Sequence, residues 1–160
     1  MRWIWIDKFI AFESGRRATA IKNVSLAEDH LHDHFPGYPV MPASLMVEGM
    51  AQTAGILVGE ARNFEEKVIL AKVKRAHFTR EVRPGERITY DAQVEQITPE
   101  AAMTVGKVSV DGEPIGEVDI VFSHIDNNMS GLAFPEENFV FTEDFKSLLR
   151  TYNVERKAGA

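Results

Sequence analysis

The chain opens with two β-rich runs, "WIWIDKFIAF" and "RRATAIKNV", on either side of Ser14-Gly15, and a glycine between two such runs reads as the turn of a hairpin. Four more strand-like runs come later: "KVILAKVKRAHFTREV", "ERITYDAQVEQI", "AAMTVGKVSV" and "GEVDIVFSHI". Turn residues separate them at Arg83-Pro84-Gly85, Thr98-Pro99-Glu100 and Asp111-Gly112, the last a pair suited to the positive φ of a tight hairpin. Between the two groups the pattern changes. From Ala43 to near Arg62 there is no proline and the residues are apolar almost all the way round, which predicts a helix buried on most faces. One such helix wrapped by a sheet of about six antiparallel strands is an α+β layout. Beyond Ile125, "DNNMSGLAFPEEN" reads as loop and "TEDFKSLLRTYNV" as a short amphipathic helix with Thr142 as its N-cap. Residues 1–125 therefore form the main unit, and residues 126–160 an extension of the same domain.

Composition narrows this picture without altering it. With 160 residues, 44% hydrophobic and 26% charged, the chain is long enough for one domain with its own core. The absence of cysteine excludes disulfides, thiolate zinc sites and a cysteine nucleophile. A formal net charge of -6 argues against a nucleic-acid partner, which would select a basic surface. No run is long enough for a membrane span, and Asp7 and Lys8 interrupt the apolar start, so a cytoplasmic protein is expected.

The segment "HDHFPGYPVMPASLMVEGMAQ" carries the candidate chemistry. His34 precedes a loop that Pro36, Pro39 and Pro42 stiffen. The helix starting near Ala43 leaves its first backbone N–H groups without intrahelical partners, so a carbonyl oxygen gaining negative charge would be stabilised there. Glu48 falls in the second helical turn among Met46, Val47, Met50 and Ala51, and a carboxyl in such surroundings is a candidate proton donor. Gln52, one turn further on, can hydrogen-bond that carboxyl. His30, His32 and His34 alternate, and on a strand they would share a face suited to a metal. No other ligand cluster accompanies them, so no metal is expected. Lys72, Lys74 and Arg75, with Arg80, Arg83 and Arg87, make a basic run in an acidic chain: a solvated strand face, or a patch for an acidic partner.

The segment "HFPGYPVMPASLMVEGMAQTAG" resembles the active-site segment of the 3-hydroxyacyl-[acyl-carrier-protein] dehydratases of fatty acid synthesis, the hotdog-fold FabZ family. The resemblance extends upstream through "RRATAIKNVSLAEDHLHDHFPG" and downstream through "LAKVKRAHFTREVRPGERI" and "VDGEPIGEV". It implies that His34 and Glu48 are the catalytic pair, that the Ala43 N–H is the oxyanion donor, and that Gly37 and Gln52 are supporting residues. It implies a 3-hydroxyacyl thioester as substrate, its acyl chain in a tunnel for which Met46, Met50, Ile56 and Leu57 are candidate walls. An acyl carrier protein would dock on Lys72, Lys74 and Arg75. No metal or organic cofactor is implied, and the assembly would be a homodimer that can extend to a trimer of dimers, with His34 of one subunit facing Glu48 of the other. Glutamate at position 48, where the FabA isomerase branch usually has aspartate, favours dehydration without isomerisation. Ala43 stands where the family usually has glycine, and about 35 residues are added after the last strand. Two alternatives stay open: a hotdog-fold acyl thioesterase, and a non-catalytic acyl-binding homologue in a specialised lipid or polyketide pathway.

Overall fold

In a computed structural model that describes residues 3–125, 138 and 140–151, the first hairpin forms where its glycine predicts. Strands β1 (Lys8–Glu13) and β2 (Arg17–Asn23) pair antiparallel around Gly15, whose φ is 68°. The strand is shorter than the apolar run. Residues 3–7 lie outside it: the Gln52 side chain takes up two of their backbone groups, with Trp5 N–H donating to Oε1 at 2.8 Å and Nε2 donating to the Trp3 carbonyl at 2.7 Å, and Asp7 N–H donates to the Ile21 carbonyl of β2 at 2.7 Å.

After β2 comes a single helical turn, α1 (His30–Asp33), which buries Leu31. This corrects the strand-face reading of the three histidines. His30 and His32 are two positions apart on a helix, about 200° around its axis, and His34 lies beyond its end. No group of three ligating side chains forms among the described residues.

The long helix α2 spans Ala43–Glu60, followed by β3 (Val68–Phe78), β4 (Arg87–Ile97), β5 (Ala101–Val110), β6 (Glu113–His124) and α3 (Glu143–Thr151). Asp111 and Gly112 join β5 to β6 with φ of 48° and 89°, the doubly positive geometry of a tight hairpin. Every pairing is antiparallel, and the strand order is β1-β2-β4-β5-β6-β3. The six strands wrap α2, which is the expected α+β arrangement. Alternate residues on the sheet point inward: Ile88, Tyr90 and Ala92 on β4, and Val118, Ile120 and Phe122 on β6 are all buried. They meet Met46, Met50, Ala54 and Leu57 of the helix, each large side chain contributing about 1.5–3 kcal/mol on burial. Close approach is bought with glycine at two points. A methyl on Gly49 would lie 2.5 Å from the Tyr90 ring, and one on Gly106 of β5 would lie 2.5 Å from Met50.

The two sheet edges are β1 and β3. The 11-residue β3 pairs only with β6, through two bulges, and exposes Leu70 (42%) and Val73 (38%). The loop expected at 126–138 lies outside the described residues except for Asn138; α3 starts directly after Thr142.

Candidate active site

The loop after His34 is built by its own residues. Pro36 and Gly37 occupy the two central positions of a turn in which Tyr38 N–H donates to the Phe35 carbonyl at 2.8 Å, and Gly37, at φ 73°, supplies the positive φ that a type II turn demands there. Phe35 N–H donates back to the Tyr38 carbonyl at 3.0 Å. The loop then returns to His34, with Val40 N–H on the His34 carbonyl and His34 Nδ1 on the Val40 carbonyl, both at 3.0 Å. A carbonyl only accepts, so Nδ1 carries a proton, and in the neutral ring the lone pair then lies on Nε2, the tautomer a general base requires. The Phe35 ring stacks on the imidazole at 4.2 Å. Residues 81–83, just after β3 in the same chain, hold the loop from outside: Met41 N–H donates to the Val82 carbonyl at 2.8 Å, Tyr38 Oη donates to Glu81 at 3.0 Å, and the Arg83 guanidinium lies 3.9 Å over the Tyr38 ring.

The first intrahelical bonds of α2 run from Leu45 and Met46 to the Pro42 carbonyl, so the Ala43 amide stands before them at the positive end of the helix. His34 and Ala43 line one cavity of about 460 Å³, with Met41, Met46, Phe78, Thr79 and Arg80 among its walls. The His34 imidazole and the start of α2 thus share a space.

Glu48 is elsewhere. Five positions beyond Ala43, it lies about 140° further round the helix axis, and it opens into a second cavity of about 220 Å³. Gln52 holds its carboxyl, donating from Nε2 to Glu48 Oε1 at 2.9 Å while the same amide binds Trp3 and Trp5. Ile56 lies on this face, with Ala51, Gly55, Val68, Leu70, Phe122, Val140 and Phe141. Met50 and Leu57 line neither cavity: four and eleven positions on from Met46, they turn toward the sheet and are core residues, a correction to their reading as tunnel walls. Sequence reasoning missed Trp3, Val140 and Phe141, which reach this cavity from the two ends of the chain.

The basic run divides. Arg75 is exposed but bonded to β6, with Nη1 3.1 Å from Glu117 and Nη2 3.0 Å from Asp119, whereas Lys72 and Lys74 have no ion pair among the described residues. No helix among the described residues is long and apolar enough to cross a membrane.

Comparison with known proteins extends the geometry. The FabA-like domain family matches residues 3–119. The 3-hydroxyacyl-[acyl-carrier-protein] dehydratase FabZ of Listeria welshimeri is 34% identical over 122 residues, which cover 76% of this chain and 85% of that one. FabZ of Thermomicrobium roseum is also 34% identical, over 125 residues covering 78% and 84%. Among solved structures, the dehydratase heterocomplex ApeI:P of Xenorhabdus doucetiae superposes with a TM-score of 0.65 at 14% identity, covering 76% of this chain and 83% of that chain. A mutant thioesterase of Pseudomonas aeruginosa superposes with a TM-score of 0.59 at 18% identity, covering 72% and 78%. The structural likenesses concern the fold alone, which serves both a dehydratase and a thioesterase; the sequence match is the more specific finding. The chain belongs to the FabA-like domain family, and its long helix α2 wrapped by six antiparallel strands is the hotdog fold.

Proposed function

We propose that the protein dehydrates 3-hydroxyacyl-[acyl-carrier-protein] to the trans-2-enoyl thioester in fatty acid or related lipid biosynthesis, in sites assembled between two copies of the chain. One observation carries the composite site: the two half-sites lie at opposite ends of the edge strand β3. Phe78, Thr79 and Arg80 border the His34 cavity, and Val68 and Leu70 border the Glu48 cavity. A second copy pairing antiparallel along β3 about its middle would set one chain's His34 cavity beside the other's Glu48 cavity, twice over by symmetry. It would also cover Leu70, Val73 and the unpaired strand edge.

In such a site the thioester carbonyl accepts from the Ala43 N–H, and His34 Nε2 removes a proton from C2. The C–H electron pair becomes the C2=C3 bond as the C3–O bond breaks, and Glu48 protonates the departing hydroxyl, which leaves as water. Stabilising the enolate-like oxygen by one backbone contact supplies about 3 kcal/mol, and each proton-transfer group contributes roughly 10²–10⁴-fold. The 34% identity to FabZ dehydratases supports this chemistry over hydrolysis. Lys72 and Lys74 are the cations available to an acidic carrier protein, and a cytoplasmic setting accompanies this reading.

The test is incubation of the pure protein with 3-hydroxyacyl carrier-protein thioesters, followed by mass spectrometry. Loss of one water from the acyl group is expected. Release of free carrier thiol would replace this reading with a thioesterase, and binding without either product would replace it with a non-catalytic acyl-binding protein.

A further inference from the structure

The cavity beside Glu48 is lined in part by residues outside the stretch that the family model matches. That stretch ends at position 119, yet Val140 and Phe141 are part of the cavity wall. Phe141 is only 4% exposed. Its ring seats directly on the helix backbone at Gly59, where a methyl group would lie 2.5 Å from the ring, and meets the Phe64 ring at 5.0 Å between centroids. Asn138 locks the turn that delivers it. Its Nδ2 donates to the Phe64 and Glu66 carbonyls at 3.0 and 3.2 Å, while its Oδ1 accepts from Val140 N–H at 3.0 Å and Phe141 N–H at 2.9 Å. Four hydrogen bonds from one side chain make this a fixed wall.

Its place relative to Glu48 gives it a function. Glu48, Gln52, Gly55 and Ile56 run along one face of α2 toward Gly59, and the eleven positions from Glu48 to Gly59 span about 16 Å of helix axis. The lining past Glu48 and Gln52 is apolar, suited to an alkyl chain entering at the carboxyl and running toward the aromatic stop. We infer that the C-terminal extension is the acyl-length gauge of this protein: Phe141, held by Asn138 and flanked by Val140, sets how many methylenes the Glu48 cavity accepts. This inference rests on the dehydratase reading for the identity of the ligand as an acyl thioester.

The experiment compares the full-length protein with Phe141→Ala and Val140→Trp. It uses a series of 3-hydroxyacyl pantetheine thioesters of increasing length for turnover, and the matching saturated acyl pantetheines for calorimetric binding. Phe141→Ala should move the optimum to longer chains, raising the long-to-short ratio of kcat/KM about tenfold, and Val140→Trp should move it to shorter ones. Folding is checked by circular dichroism. Should Phe141→Ala fail to fold, the half-buried Val140 position decides alone. Unchanged length preference in the folded variants would overturn the gauge. If the wild-type protein turns over no thioester but its binding limit still shifts in the variants, the dehydratase reading falls and the gauge stands.

Discussion

The two halves of the proposed site are built in different ways. Around His34 the turn and the aim of the ring are local: a proline and a glycine make the turn, and the imidazole is oriented by a carbonyl six residues away, while residues 81–83 brace the loop from outside. Around Glu48 the support comes from far along the chain. Gln52, which holds the carboxyl, is itself held by Trp3 and Trp5, 49 and 47 residues distant, and the cavity beyond is finished by Phe141. A base needs its ring nitrogen aimed, which a stiff loop can do alone. An apolar cavity beside a half-buried carboxyl needs walls from several elements. The first half should therefore tolerate distant changes that disable the second.

The largest effect tests whether the halves cooperate at all. His34→Ala and Glu48→Gln should each lower dehydration by at least about a hundredfold with circular dichroism unchanged. Refolding an equal mixture of the two variants should restore about a quarter of wild-type activity, since random pairing makes about half heterodimers and each has one intact site. Inactive mixtures, with chain exchange shown by tagging, would place both residues in one subunit's site.

A smaller effect separates the supports. Gln52→Leu should lower kcat by about ten- to a hundredfold with little change in KM, because it frees the carboxyl rather than removing it. Gly37→Ala should instead cost about 1–2 kcal/mol of stability, read by thermal melting, since no atom lies within 4 Å of the added methyl and only the positive φ opposes it. A Gln52→Leu variant that binds poorly but turns over at the wild-type rate would assign Gln52 to structure alone.

Weaker still is the carrier contribution. Lys72→Glu combined with Lys74→Glu should raise KM for carrier-protein substrates several-fold at low salt and leave pantetheine thioesters unaffected; Arg75→Glu breaks the bonds to Glu117 and Asp119 and should lower stability as well. Equal loss on both substrate types would remove the patch from carrier recognition.

The smallest effect is a pH response at His30. Burial holds the His30 imidazole below its ordinary 6.5, against the opposing pull of Glu28, and the His30 ring packs edge-on to Trp5 at 5.1 Å. The unfolded chain therefore binds this proton first. Its contribution to stability is present in full above 6.5 and falls as pH drops through that value toward the folded pKa. Both tryptophans of the chain, Trp3 and Trp5, bond to Gln52 through their backbone and Trp5 packs on His30, so intrinsic fluorescence reports these surroundings. Acidification below 6.5 should shift the emission, and His30→Gln should abolish the shift. An unaltered shift in that variant would trace it to another group.

What the sequence determined by itself is what short stretches can decide. Turn residues at Gly15 and Asp111-Gly112, the proline-glycine turn after His34, the span of α2 and the pairing of Gln52 with Glu48 all arise between residues a few positions apart, where backbone sterics and helical spacing act directly. Tertiary structure decided the rest. The apolar residues of α2 all read alike, and only the sheet's position turned Met50 and Leu57 into core and left Ile56 at the cavity. Nothing in the β3 run shows that it pairs with β6 rather than with β4, the next strand along the chain, and so becomes the exposed edge. Nor does Phe141 announce its seat on Gly59, 82 positions earlier. Burial is not a property of a residue or of its neighbours in sequence. It is fixed when distant surfaces exclude water together, and in this protein that exclusion separates the half-site legible in the chain from the one that the fold completes.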